Sequence, residues 1–357
     1  MKKSEGKILL LPGDGIGPEV NKALKDVISS ADSNTAINIE VEEDLVGGAS
    51  YDKYNTPLTD DVLKKAISAD AVILGSVGGY QYDKLPFEVK PERALLKLRK
   101  ELDLYANIRP AKVFDALKDA SSLKSEIVEG MDIVVLRELT GGIYFGKSGR
   151  ESNGNFAFDT CEYNKKEIIR LAKKGFEIAG KRKKKLCCVD KANVLETSRL
   201  WRETIQSMEK EYPSIKVSYE LVDAVAMRLI QSPQNYDVLV TENLFGDILT
   251  DEASVISGSM GLMPSASIGE VNSLYEPIHG SFPEATNKNI ANPLATILSA
   301  AMMLEMSFNL KIESDLIKKS VEKSIREGFV TRDLSNGERF FYTSEVGDKI
   351  CDYIKSS

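Results

Sequence analysis

The chain has 357 residues, 42% hydrophobic and 28% charged, with a net charge of −7 from 47 basic and 54 acidic side chains. At about 150 residues per domain this length suggests two domains with cores that need no staples, and the acidic balance argues against nucleic acid or an anionic membrane as the main partner. A single histidine, His279, excludes zinc sites built on several histidines and leaves proton transfer to Lys, Tyr, Asp or Glu.

Lys7–Leu11 is a short apolar run that ends at Pro12-Gly13 and predicts a buried strand feeding a Gly-rich turn. That turn, Gly13-Asp-Gly-Ile-Gly17, precedes a helix predicted over Pro18–Ser30. Its spacing is G-x-G-x-G, not G-x-G-x-x-G, so a standard Rossmann dinucleotide site is not supported, although a nucleotide could still lie near the turn. Ile37–Glu43 alternates as a strand does, Thr59–Ser68 has helical spacing, and Ala71–Leu74 is a buried strand stopped by Gly75. Strands alternating with helices predict an α/β fold with a largely parallel sheet.

Pro91–Leu102 reads as an amphipathic helix, and Asp132–Leu136 and Tyr236–Val240 as buried strands. Gly141–Phe158 has no helical period and reads as a β-ribbon or arm. It contains Gly141-Gly-Ile-Tyr-Phe-Gly-Lys147-Ser148, which matches G-x-x-x-x-G-K-[ST]. A phosphate loop needs a helix opening at its lysine. Gly149-Arg-Glu-Ser-Asn is no helix start, so a nucleoside triphosphatase is disfavoured. A helix is expected over Lys165–Ile178, then a solvated basic turn at Lys181–Lys185 and a strand at Leu186–Val189. Pro293–Met306 is apolar all round and reads as a core helix. Cys161, Cys187, Cys188 and Cys351 form no C-x-x-C, no apolar run reaches membrane-spanning length, and the first residues lack a secretory signal. The expectation is a cytoplasmic protein with packed thiols.

Several residues carry chemistry. Asp247 and Asp251 stand four apart, hence on one face if helical, among Leu244, Phe245, Ile248 and Leu249. Carboxylates without His or Cys suit Mg²⁺ or Mn²⁺, and Asp223 is a candidate third ligand. Arg99, Arg109 and Arg137 sit in apolar settings, and Arg137 closes a strand. Three such guanidiniums suit a substrate with two or more carboxylates, although each alone also reads as a salt-bridged structural residue. Lys191 follows a strand end with Asn193 just beyond it. It fits a general base, or on this segment alone an ordinary surface lysine.

Ordered motifs spread along nearly the whole chain then carry a resemblance. They are Leu11-Pro-Gly-Asp-Gly-Ile-Gly-Pro-Glu19, Gly75-Ser-Val-Gly-Gly79, Pro91 to Arg99, Asn107-Ile-Arg-Pro110, Arg137 to Gly146, Val189-Asp-Lys-Ala-Asn-Val194, Asn243 to Asp251 and Gly269 to Asn292. Together they resemble the isocitrate/isopropylmalate dehydrogenases, a family of β-hydroxyacid oxidative decarboxylases. The resemblance implies an α/β fold of isopropylmalate dehydrogenase type, with two domains and a large mixed sheet flanked by helices, not a standard Rossmann fold. A discontinuous cofactor-binding domain would take 1–105 and 258–357. A substrate and dimerisation domain would take 106–257, with the β-arm near 141–160.

The resemblance further implies a homodimer with shared active sites, NAD and Mg²⁺ or Mn²⁺ as cofactors, and a small-molecule substrate. The expected reaction is oxidative decarboxylation of 3-isopropylmalate in leucine biosynthesis. The alternatives are the same chemistry on tartrate, homoisocitrate or isocitrate, or a binding-only regulatory subunit. Tyr144 would protonate the enol carbon and Lys191 would take the hydroxyl proton. Glu92, Leu95, Leu96, Arg99, Arg109, Arg137, Asn193, Val194 and Asp223 would bind substrate, with Asp223, Lys191 and Asn193 given by the second subunit. Asp223, Asp247 and Asp251 would hold the metal. Ile16, Glu276, His279, Gly280, Ser281, Phe282, Glu284 and Asn292 would contact NAD. The family's adenosine loop commonly reads H-G-S-A-P-D-x-A-G; here Phe282 and Glu284 replace the Ala and Asp. Lys288 is the nearest cation in sequence.

Overall fold

The predicted strand at Lys7–Leu11 lies within β1 (Glu5–Gly13) of a computed structural model that describes residues 5–33, 38–335, 337 and 339–356. Then come α1 (Gly17–Ser33), β2 (Asn38–Glu43), α2 (Gly48–Tyr54), α3 (Asp60–Ser68), β3 (Ala71–Ser76) and α4 (Glu92–Glu101). Ile37, the expected start of β2, lies outside the described residues. Thr59 caps α3 by accepting the Val62 N–H, so the helix opens one residue later than its predicted start.

The chain continues through β4 (Ala106–Lys112), α5 (Ser125–Val128), β5 (Asp132–Glu138), β6 (Ser148–Arg150), β7 (Ala157–Asp159) and α6 (Lys165–Gly180). Next are β8 (Lys185–Asp190), α7 (Glu196–Met208), β9 (Lys216–Leu221), α8 (Val222–Gln231), β10 (Val238–Thr241) and α9 (Asn243–Ile256). It ends with β11 (Pro264–Ile268), β12 (Ser273–Pro277), α10 (Leu294–Met306), α11 (Lys311–Arg326) and α12 (Thr343–Lys355). The expected ribbon is shorter than the Gly/Asn-rich stretch: only β6 and β7 pair, antiparallel, and Tyr144 sits before them in a one-turn helix. No α-helix opens at Lys147, so the phosphate-loop pattern is a coincidence of letters.

Two compact units form, Met1–Leu104 with Gly258–Ser357, and Tyr105–Ser257. The first carries strands in the order β2-β1-β3-β12-β11, parallel except for β11. The second carries β4-β5-β10-β8-β9, parallel except for β4. Each is a mixed sheet with helices packed on it, and neither strand order is that of a dinucleotide-binding Rossmann sheet. In the first unit Leu9, Leu11, Val72 and Leu74 bury against Val62, Ala66, Ala94 and Leu98 of α3 and α4. The apolar α10 is buried on every side, as its sequence predicts.

The parallel strands of the first unit end in loops held by one carboxylate. Asp14 accepts the backbone N–H groups of Gly48, Ala49 and Gly78 at 2.7–2.8 Å. Gly13 precedes it at φ 74°, where a Cβ would stand 1.9 Å from the Ser76 carbonyl oxygen. Thus the Gly-Asp-Gly-Ile-Gly turn ties three loops together.

The basic turn after α6 is solvated at its four lysines, as expected, but Arg182 within it bridges Asp132 and Asp237 at 2.8 Å. Asp237 is 1% exposed, and a carboxylate buried that deeply requires a cationic partner. Cys187 and Cys188 are buried thiols, as expected, and burial pushes Cys187 up to about 12.

Candidate active site

In the second unit, β4 and β5 pair so that Asn107 stands directly opposite Arg137. Arg109 lies two residues from Asn107 and shares its face, because strand side chains alternate. Helix α9 packs across these strands at Gly246, where a Cβ would come within 2.7 Å of the Arg137 side chain. The close approach brings the carboxylates of α9 to the two arginines. Arg137 pairs with Asp247 and also donates to Asn243 Oδ1 at 2.7 and 3.0 Å. Arg109 donates to Asn107 Oδ1 and to Thr250 Oγ1, each at 2.7 Å, and stands 3.7 Å from Asp251. Both arginines are buried, at 8% and 3% exposure.

Tyr144 completes this group. Its hydroxyl donates to Asp247 Oδ2 at 2.9 Å, and the Arg137 guanidinium lies 5.7 Å from its ring centre. Partial burial and the Asp247 carboxylate raise its pKa above the usual phenol value. The turn bearing Tyr144 is set by Glu138, a fully buried carboxylate that accepts the N–H groups of Thr140 and Gly141. Burial raises the Glu138 pKa.

Lys191 follows β8 and donates to Asp223 Oδ1 on α8 at 2.5 Å; this pairing holds the Asp223 carboxyl below its usual range. Asn193 and Val194 are exposed. Among the described residues no group of three or more acidic, His or Cys side chains is gathered to hold a metal. Asp247 and Asp251 stand one turn apart on α9, with no third such side chain, Asp223 included, gathered to them in the same chain.

In the first unit, Arg99 and Glu276, expected to meet substrate and cofactor, form an ion pair at 2.9 Å. Glu92 is exposed, Leu96 is half-buried, and Leu95 packs on the core under α4. A cavity of about 740 Å³ opens beside the loop after β12. Its wall contains Ile16, His279, Gly280, Phe282 and Asn292, but not Glu276, Ser281 or Glu284. The Ser281 carbonyl instead accepts the Ile16 N–H at 2.9 Å, which docks the loop on the Gly-rich turn. His279 Nε2 is shielded and has no hydrogen-bond partner, and burial lowers the ring's pKa.

The wall also contains Arg332, Asp333, Phe340 and Tyr342, which sequence reasoning missed. No spacing links them to His279; only the packing of the C-terminal segment brings them there. Lys288 is the nearest cation in sequence, but the cation that reaches the cavity is Arg332. Asn292 Nδ2 donates to Asp333 at 3.0 Å, while its Oδ1 accepts the Leu294 N–H at the start of α10. Asn107, Asn243 and Thr250, which orient the arginines, were also missed. All three lie in motifs that carried the resemblance, and strand and helix spacing relative to Arg109 and Asp247 could have found them.

The family model for isocitrate/isopropylmalate dehydrogenase matches residues 7–350. The chain is 49% identical to a 3-isopropylmalate dehydrogenase of Pelagibacter ubique, over 99% of this chain and 100% of that protein. It is also 49% identical to a 3-isopropylmalate dehydrogenase of Aquifex aeolicus, over 98% and 97%. Among solved structures, an isocitrate dehydrogenase from Methylococcus capsulatus matches with a TM-score of 0.86 and 33% identity, covering 98% of this chain and 99% of that one.

Proposed function

Because the chain belongs to the isocitrate/isopropylmalate dehydrogenase family, we propose that it oxidatively decarboxylates 3-isopropylmalate to 4-methyl-2-oxopentanoate and CO₂ with NAD and a divalent cation, in leucine biosynthesis. The observation that carries the chemistry is the group formed by Arg109, Arg137, Tyr144 and Asp247. Two guanidiniums on one face of the β4–β5 pair offer fork-shaped donors to a dicarboxylate. The substrate rests on the near-full-length relatives. Leu95 and Leu96 of α4 support it, since leucines favour a branched alkyl group over a third carboxylate.

The residues fit the two cofactors. Asp247 and Asp251, one helical turn apart, are hard oxygen donors of the kind Mg²⁺ and Mn²⁺ take, and Asp223 of the partner subunit would add a third. The cavity beside His279, with its unpartnered Nε2, fits a flat nitrogen base such as adenine. NAD bound there would supply a hydride acceptor, and the cation a Lewis acid for the substrate's hydroxyl oxygen. Arg109 and Arg137 then hold the carboxylates. Lys191 moves the hydroxyl proton away as the carbonyl forms. Loss of CO₂ leaves an enolate, and Tyr144 donates its proton to the enolate carbon, which gives the keto product and leaves a phenolate that solvent reprotonates.

We also assign a homodimer and a cytoplasmic location. Exposed apolar side chains on α8 and α9 support the first: Met227 59%, Ile230 46%, Ile248 59% and Val255 55% exposed. Four free thiols support the second. The runner-up is the same chemistry on isocitrate, favoured by the match to an isocitrate dehydrogenase structure. The assay is NADH production with Mg²⁺ and a panel of 2-hydroxy-3-carboxy acids. Isopropylmalate should be turned over fastest; equal or faster turnover of isocitrate would overturn the substrate.

A further inference from the structure

Tyr80 and Glu284 lie far apart in the chain, yet the Tyr80 hydroxyl donates to Glu284 Oε1. The bond raises the Tyr80 pKa and holds the Glu284 carboxyl below its usual range. Each partner stands on an anchored turn. Beside Tyr80, Tyr82 is buried at 7% exposure and donates to Asp52 Oδ2 at 2.7 Å. On either side of Glu284, the Ser281 carbonyl is held by the Ile16 N–H, and Ala285 is buried with Ile16, Val20 and Ala291. Between these anchors Phe282 takes a left-handed conformation, φ 41° and ψ 66°, and its side chain joins the cavity wall, whereas Glu284 does not. The anchors fix the backbone of the loop. They do not fix a carboxylate at the end of three rotatable bonds, and Tyr80 does.

We infer that Tyr80 is a positioning residue for the cofactor loop: its hydroxyl pins one oxygen of Glu284 so that the other is presented to the vicinal hydroxyls of a nucleotide ribose. The inference rests on the proposed use of NAD. A carboxylate has about four acceptor sites; Tyr80 takes one, and the rest suffice for two ribose hydroxyls. Pinning also replaces rotamer freedom that cofactor binding would otherwise have to remove. The same ionised, fixed carboxylate repels a 2′-phosphate. Tyr80 thus bears on the choice between NAD and NADP without touching the adenine cavity.

The test is calorimetric titration of the intact protein with NAD and with NADP, for the parent, Tyr80→Phe, Glu284→Gln and the double variant. Tyr80→Phe should weaken NAD binding about 3- to 10-fold, as loss of one charge-assisted bond implies. It should also narrow the NAD over NADP preference. In the Glu284→Gln background the same change should add nothing. In turnover, the loss should fall on KM for NAD more than on kcat. Unchanged or tighter NAD binding in Tyr80→Phe would overturn the inference, tighter binding meaning that Tyr80 competes with the ribose. An equal loss in both backgrounds would overturn it too. Failure of the parent to reduce NAD with isopropylmalate would instead overturn the reading beneath it, so the two failures are distinct.

Discussion

A tyrosine serves as general acid only while it keeps its proton, and the surroundings of Tyr144 favour that. Partial burial and Asp247 raise its pKa, so it stays protonated through neutral pH. Tyr144→Phe and Lys191→Met should each lower kcat about 10²–10⁴-fold with little change in Tm, since Tyr144 is half exposed and Lys191 lies in a loop after β8. Near-parent turnover in both variants would contradict the assigned roles. Glu242 makes a second residue-scale prediction. It accepts from the Cys161 thiol, and burial pushes its carboxyl up to about 7. The native state therefore holds a proton that the unfolded chain releases nearer pH 4, so this residue makes stability fall as pH rises from about 4 to 7. Parent Tm should drop across that window more than Glu242→Gln, by an amount equivalent to about 1–3 kcal/mol; parallel curves would count against it. At this scale the sequence was most readable where polarity interrupts an apolar run. Arg109, Arg137 and Asp247 stood out that way, Tyr144 was marked only by the family resemblance, and the structure brings the four together. Arg332 and Tyr342 carry no such mark, because their approach to His279 is set by tertiary packing alone.

Helix α9 joins the arginines and carboxylates, and Gly246 sets its distance from β5. Gly246→Ala should force a Cβ against Arg137, shift the helix and cost about 1–3 kcal/mol. It should also lower turnover far more than that stability loss implies, because Arg137, Asn243 and Asp247 move together. Equal activity in soluble Gly246→Ala would show that the close approach is dispensable. Elements with strong periodicity or a clear cap were predictable: α6 opens on an Asn164–Glu167 capping box, and α10 is predominantly apolar. Strand β4 was not, because Asn107, Arg109 and Pro110 break its pattern and it takes strand pairing, as with β5, to make it a strand. Within 141–160 the Gly-rich composition indicated extended chain but not where pairing starts, which the turn at Gly142–Tyr144 decides.

For the whole molecule, the separation of Lys191 and Asp223 from the Asp247–Asp251 pair fits a site shared between two chains. Met227→Glu with Val255→Glu places charge on the apolar faces of α8 and α9. The double variant should sediment as a monomer and lose turnover; a fully active monomer would refute the shared site. Conversely, mixing Lys191→Met chains with Arg109→Ala chains should restore one working site per hybrid dimer, and no recovery would argue against it. The interrupted first unit has a consequence for synthesis on the ribosome. Strand β3 is buried along its whole length, between β1 and β12. β12 begins at Ser273, so at roughly 5–20 residues per second the nascent chain waits roughly 10–40 s before that edge can be covered. The contiguous second unit emerges complete in the meantime. The growing polypeptide therefore carries a finished domain and an open apolar strand at once, and that strand is where a chaperone would first be needed.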